Sequence, residues 1–356
     1  MWYQTKISRL LGIKYPIFLG PMGGGFSTPE LLAAVSNAGG LGSFGAYTLL
    51  PEQILEADKA IRAQTDKPYN LNLWVNDVDE SLKHYPAKKL EKITTLFKPY
   101  FDELEIPLPE LSSHIPSKFE AQMGAIFQIK PAVLSFIFGI PDKKLLDECR
   151  KLNIKTVGAA TTLDEALLLE EAGVDAIVAA GFEAGGHRPS FLRPAEDSLT
   201  GTFALVQQLK AKIKTPIIAT GGIADGKGIA AALALGADAV QLGTAFLACE
   251  ESNATPAHRD KLFSGDAKYT VLSKSLTGRM GRMIVNRISR DIPYETEVLP
   301  FPLQGRLMAP LKAAALERGK TDLVNFWAGQ NAVNLKYRNA AVLMQALIEE
   351  TGAMLK

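Results

Sequence analysis

The sequence reads as an α/β chain whose strand–helix units close a barrel, and two observations carry that reading. Short apolar, β-rich runs recur at residues 16–19, 42–45, 69–75, 132–138, 155–159, 176–180, 216–220 and 239–243. Glycine-rich turns follow several of them, at Gly20, Gly181, Gly221 and Gly243, and not the first alone. Near-continuous apolar strands separated by helices imply a parallel sheet covered on its outer face. Eight such units are the number that closes a (β/α)8 TIM barrel, whereas an open doubly wound sheet concentrates its glycine turn after the first strand.

The intervening helices announce themselves in order. Thr28 is an N-cap before Pro29-Glu30 and the run Leu31-Leu32-Ala33-Ala34-Val35, and Asn37-Ala38-Gly39 supplies the stop. Pro51-Glu52 opens the next helix. Residues 142–152 and 163–173 repeat the pattern, the latter with Ala166, Leu167, Leu169 and Ala172 at helical spacing before Gly173, and 225–236 does so again. Two stretches do not fit a minimal barrel. Residues 76–127 are charged and proline-rich, an elaborated third connection with helical character at 87–103. Residues 251–334 lack strand–helix alternation and are dense in Arg, Met and Pro. They read as an inserted, mainly helical lid domain before a final helix at 340–351, which leaves 1–250 plus 335–356 for the barrel.

Composition narrows the partner. With 39 basic and 38 acidic residues the formal charge is +1, and no basic stripe marks a nucleic-acid or membrane surface, so a small molecule is expected. Cys149 and Cys249 lie in unrelated contexts without CxxC spacing, as expected of buried free thiols in a reducing compartment. No HxH, HExxH or carboxylate cluster suggests a metal. The segment Met1-Trp2-Tyr3-Gln4-Thr5-Lys6 lacks the apolar core of a secretory signal, and no uncharged apolar stretch reaches the ~18 residues of a membrane span, so a cytoplasmic location is expected.

Chemistry concentrates after the strands. Thr220-Gly221-Gly222-Ile223 leads into a helix near Asp225, and Gln241-Leu242-Gly243-Thr244 closes the eighth strand. Backbone N–H groups in such turns at a helix N-terminus form an anion pocket, and barrels commonly hold phosphate at the seventh and eighth strands. The cluster Gly20-Pro21-Met22-Gly23-Gly24-Gly25 lets a flat aromatic ligand approach the backbone, with Met22 as a soft contact. Asn70 and Asn72 are two apart on the third strand, so both amides face one side. His187 follows Gly181-Phe182-Glu183-Ala184-Gly185-Gly186 at the end of the sixth strand. Its side chain alone among the common types titrates near neutrality without perturbation, and Glu183 is placed to orient a neighbouring group. The other histidines, His84, His114 and His258, sit in polar contexts and are expected at the surface.

Together these segments resemble the nitronate monooxygenase family, formerly called 2-nitropropane dioxygenases. The matching pieces are Gly20-Pro21-Met22-Gly23-Gly24, the run 68–74, Glu183-Ala184-Gly185-Gly186-His187-Arg188, the run 219–226, Gln241-Leu242-Gly243-Thr244, Thr277-Gly278-Arg279, Ile284-Val285-Asn286 and Trp327-Ala328-Gly329-Gln330. The resemblance implies non-covalent FMN at the C-terminal rim, contacted by Met22, Asn70, Gly185, Gly222 and Gln241, Leu242, Gly243 and Thr244. It implies His187 in the catalytic position and no metal. The implied reaction is oxidative denitrification of alkyl nitronates, of the propionate 3-nitronate type, with O₂ to a carbonyl compound and nitrite, a detoxifying activity without reduced nicotinamide. Lys274, Arg279 and Arg282 are candidates to complete an anion pocket. Two departures stand out: Ala180 replaces a frequent Gln, and Pro189-Ser190-Phe191 follows Arg188 in place of the usual Gly. An FMN-dependent enoyl-[acyl-carrier-protein] reductase using NAD(P)H is the competing enzyme class, sharing the Gly-Gly-His and Gly-Gly-Ile-Ala-Asp-Gly segments. A flavin-binding sensor is the non-enzymatic alternative.

Overall fold

The computed structural model describes residues 1–355. Its strands are β1 (Ile17–Leu19), β2 (Gly42–Gly45), β3 (Tyr69–Trp74), β4 (Val133–Ile137), β5 (Lys155–Ala160), β6 (Ala176–Ala180), β7 (Gly186–His187), β8 (Ile217–Thr220), β9 (Ala239–Leu242), β10 (Thr270–Ser273) and β11 (Gly281–Ile284). One eight-stranded sheet runs in the order β1-β9-β8-β6-β5-β4-β3-β2, with every pair parallel. Its two ends meet where Leu41 donates to the carbonyl of Ile17 (2.9 Å) and Leu19 to that of Leu41 (2.9 Å). The sheet is therefore a closed (β/α)8 barrel, and its strands are the eight expected from the sequence.

Strand alternation divides the barrel core in two. Outward residues, including Ile17, Leu19, Ile177, Ala179, Ile217 and Val240, pack under the surrounding helices. Inward residues Phe18, Val133, Val157, Val178 and Ile218 fill the interior, and Ile7 and Leu11 of the helix Lys6–Leu11 join them at the N-terminal end. Toward the C-terminal end the inward positions turn polar, at Ser43, Asn70, Asn72, Ser135, Thr220 and Gln241. A site at that end is thus built into the register.

Helix starts follow local chemistry. Thr28 Oγ1 accepts from Leu31 N (3.0 Å), and Asp225 Oδ1 from Gly228 N (2.9 Å). The helix Ala87–Glu103 lies where its periodicity placed it. Phe119–Ile129 and Thr202–Lys212 were not anticipated. The first is apolar on nearly every face, and the second starts at Gly201 without a side-chain cap.

Residues 251–334 contain the helices Pro256–Leu262, Arg287–Asp291 and Leu303–Glu317, and also the antiparallel hairpin β10–β11, which the sequence reading missed. The hairpin recruits β7 from the barrel side as a third strand, in the order β10-β11-β7. A single apolar core joins this region to the third connection: Phe97, Tyr100, Phe101 and Leu104 pack with Leu276, Ile288, Leu307 and Leu311. Polar ties reinforce it, with Tyr100 Oη donating to Asp291 (2.9 Å), Arg287 pairing with Glu103, and Arg318 donating to the Leu104 carbonyl.

Both cysteines are free and buried. No described helix is long and apolar enough to cross a membrane, and among the described residues no group of three or more His, Cys, Asp or Glu side chains could hold a metal ion.

Phe97 is fully buried in the shared core. Phe97→Ala should cost about 3–5 kcal/mol in chemical denaturation. Hydrogen exchange should then speed up across 276–311 as well as 87–103; loosening of 87–103 alone would mean the two regions have separate cores.

Candidate active site

His187 is held as a strand residue. In β7 it pairs with Gly281 of β11, and Gly186 pairs with Arg282. A Cβ on Gly281 would stand 2.8 Å from the Trp327 ring and 3.1 Å from the Gly186 carbonyl oxygen, so only glycine lets the strands approach this closely. Arg188 anchors the other side of the same segment. Its buried guanidinium donates to the carbonyls of Ala180 (2.8 Å), Gly181 (2.7 Å) and Ser198 (2.6 Å), and burial lowers it to about 10.

The imidazole has an assignable tautomer. Thr277 Oγ1 donates its one proton to the Arg279 carbonyl (3.0 Å) and lies 2.8 Å from His187 Nε2, so it accepts there from Nε2–H. Nδ1 keeps its lone pair and has no hydrogen-bond partner among the described residues. Trp327 (5.0 Å), Trp74 (5.3 Å) and Phe301 (6.0 Å) surround the ring. Burial, then the positive charges of Arg279 and Lys312, hold His187 down to about 3, so it is neutral at physiological pH.

An aromatic wall continues from the histidine. Tyr47 stacks on Trp74 at 3.6 Å, and burial pushes its phenol up to about 12. The Arg279 guanidinium lies 4.2 Å from the centre of Phe138 and 4.6 Å from that of Phe301, while its Nε and Nη2 donate to Asp79 Oδ1. Its Nη1 is buried without a partner.

Beside this wall the strand-end glycines form a cradle. The backbone N–H groups of Gly222, Ile223, Gly243 and Thr244 donate to no protein acceptor among the described residues. The turn Trp327-Ala328-Gly329-Gln330 rests on the rim: Gly329 N donates to Thr244 Oγ1 (2.9 Å), Gln330 N to the Glu183 carbonyl (2.9 Å) and Asn331 Nδ2 to the Gly222 carbonyl (2.9 Å). A Cβ on Gly185 would sit 2.6 Å from Gly329 N, which makes Gly185 the point of closest approach. At the start of Gly226–Ala234, Gly226 N is taken by Glu350 (2.9 Å) and Gly228 N by Asp225 (2.9 Å).

The barrel mouth supplies side-chain groups to the same place. Asn70 Nδ2 donates to Ser43 (3.1 Å) and Ser135 (2.9 Å), and Asn72 Nδ2 to Ser135 (3.0 Å); Asn70 Oδ1 is buried without a partner. The Gln241 amide has no protein partner among the described residues. Met22 is half-buried between the barrel core and the core of the 251–334 region. Leu242 is the exception among the expected contacts, because its side chain faces the outer helices and only its backbone reaches the rim.

Several expectations are corrected. His258 is not at the surface: it is 2% exposed, bonds the Trp327 carbonyl through Nε2 (2.9 Å), and burial lowers it to about 4. The neighbouring group that Glu183 holds is Thr202, whose N (2.9 Å) and Oγ1 (2.9 Å) donate to its carboxylate. Lys274 is paired with Glu196 (2.7 Å), and Arg282 donates through Nε to the Phe182 carbonyl (2.8 Å) and through Nη1 to Thr270 (3.0 Å). Tyr47, Asp79 and Lys312 were missed. Lys312 left a trace in the sequence, as a lone charge on the apolar stripe Met308–Lys312–Ala315.

Comparison with known proteins agrees with this architecture. The family model described as nitronate monooxygenase matches residues 4–350. A probable nitronate monooxygenase of Staphylococcus aureus (strain JH9) is 35% identical over 358 residues, covering 100% of this chain and 99% of its own. Among solved structures, nitroalkane oxidase from Streptomyces ansochromogenes superposes with a TM-score of 0.89 at 32% identity, over 98% of this chain and 99% of that one. FabK from Thermotoga maritima gives 0.76 at 28% identity, over 99% and 97%. With a closed barrel, a glycine cradle at its rim and a family match across almost the whole length, the chain belongs to the nitronate monooxygenase family of flavin-dependent oxidoreductases.

Proposed function

We propose that this chain binds FMN at the barrel rim and oxidises alkyl nitronates of the propionate 3-nitronate type with O₂, releasing a carbonyl compound and nitrite. The observation that carries the reading is a neutral imidazole with a free Nδ1, fixed in a strand beside an aromatic wall and a cradle of unused N–H groups. FMN fits the residues present. The N–H groups of Gly222, Ile223, Gly243 and Thr244 would hold its phosphate, with Gly185 allowing close approach. Asn70 Oδ1 and the Gln241 amide would meet the polar edge of the ring, and Met22 its face. When bound, the flavin supplies the electron transfer between the nitronate and oxygen.

The protein's part is to bind and to exclude water. Residues 251–334 serve as the lid over the barrel formed by 1–250 and 335–356, and bring Thr277, Arg279 and Trp327 against the histidine. A base held as low as His187 abstracts an α-proton weakly, which favours substrates that arrive already ionised. Nδ1 is nonetheless the one free acceptor placed to take a proton from a neutral nitroalkane. Arg279 supplies positive charge to the wall.

The protonation state has a stability consequence. The unfolded chain takes up a proton on His187 below about 6.5, and the folded one only near 3. Stability from this group is full above about pH 6.5 and declines as pH falls through that window. In a histidine-resolved NMR titration, His187 should remain the neutral Nε2–H tautomer from pH 8 to 5; an inflection near 6.5 would contradict the site described here.

Anaerobic mixing with ethyl nitronate or propionate 3-nitronate should bleach the flavin, and NADH or NADPH should not. Reduction by nicotinamide alone would favour the reductase reading, for which the likeness to FabK is the supporting observation. His187→Asn should keep the flavin and lose turnover most with neutral nitroalkanes, by about 10²-fold or more; equal losses with nitronates and nitroalkanes would remove the base role. Gly185→Val, which forces a side chain against Gly329, should purify colourless. Retention of stoichiometric FMN by that variant would move the phosphate site elsewhere.

A further inference from the structure

One carboxylate of the third connection holds two pieces of the wall around His187. Asp79 lies in the segment that leaves β3 shortly after Trp74. That segment is itself pinned, because Asp77 accepts from Ser117 Oγ (2.6 Å) and from Lys118 N (2.8 Å). Asp79 Oδ1 accepts from both Nε and Nη2 of Arg279. Its Oδ2 accepts from Phe301 N (2.8 Å), and Asp79 N donates back to the Phe301 carbonyl (3.0 Å). The chain segments that meet there fit closely. A Cβ on Gly278, whose φ is +92°, would stand 2.6 Å from the Leu299 carbonyl oxygen and 2.7 Å from Phe301 N, so 277–279 runs flush against 299–301.

Both contacts lead to the histidine. Phe301 is one of the rings around His187 (6.0 Å) and also carries the Arg279 guanidinium over its face (4.6 Å). The Arg279 carbonyl takes the one proton of Thr277 Oγ1 (3.0 Å), and that commitment leaves Thr277 to accept from His187 Nε2–H (2.8 Å). Were the 279 peptide to rotate away, the Thr277 hydroxyl would turn and donate to Nε2. The neutral ring would then carry its proton on Nδ1.

We infer that Asp79 is a positioning residue that fixes the tautomer of His187, acting through Arg279 and Thr277 on one side and through Phe301 on the other. Its part is to keep the lone pair on Nδ1. The tautomer lock stands on the contacts alone, while its kinetic consequence rests on the nitronate reading, in which Nδ1 takes the proton of a neutral nitroalkane.

Asn is the informative substitution at this position. Its amide offers one acceptor oxygen and one NH₂ group, so whichever way it turns, either Arg279 or the Phe301 N–H faces a donor. In histidine-resolved NMR of the flavin-loaded protein near neutral pH, native His187 should be Nε2–H alone. Asp79→Asn should retain FMN and add an Nδ1–H population. Arg279→Lys, which keeps the charge but loses the planar fork, should do the same. In Asp79→Asn the kcat for neutral nitroethane should fall about 10-fold or more with little change in KM, whereas ethyl nitronate, which needs no base, should lose much less.

An unchanged Nε2–H tautomer in both variants, or equal losses on nitroethane and its nitronate, would overturn the assignment. If the native enzyme oxidises neither substrate, the nitronate reading fails, and the tautomer comparison still decides the role of Asp79. Should neither variant fold, the native spectrum decides, and a mixture of tautomers there would refute the lock.

Discussion

The pairing of β7 with β11 is the interaction on which the site depends. Two residues of backbone, Gly186 and His187, leave the barrel rim and become the edge of a sheet whose other strands belong to the 251–334 region. A histidine on a free loop would sample many rotamers and remain hydrated. Here its backbone is fixed by a ladder, its Nε2 by Thr277, and its ring by Trp74, Trp327 and Phe301. Arg188 holds the departing chain against the carbonyls at the end of β6, so both ends of the short strand are tied.

Desolvation and charge act on this histidine in the same direction. Burial disfavours imidazolium, and the cations Arg279 and Lys312 disfavour it further. The cleft is therefore one in which burial and neighbouring positive charge keep the titratable ring neutral. Such a setting suits an anionic substrate, because binding it offsets the positive charge around the ring.

Much of this was legible in the sequence, for definable reasons. The barrel strands are short runs of Val, Ile and Ala between glycine turns, and their period-two pattern survives in the structure residue by residue; Asn70 and Asn72 face inward together as spacing alone required. His187 was legible because glycines mark the strand end that presents it. Its partner was not, since Thr277 lies 90 residues away and nothing local couples them. The shared core was hidden because Phe97, Ile288 and Leu307 come from segments far apart in the sequence. His258 was misplaced for a related reason: Pro256-Ala257-His258-Arg259-Asp260 looks solvated, yet its histidine turns onto Phe26 and Phe326.

Sharing one strand between the barrel side and the 251–334 region has a mechanical consequence. Because the histidine's own backbone is stitched to the hairpin, that region cannot swing away as a rigid flap without breaking the β7–β11 ladder that fixes the histidine.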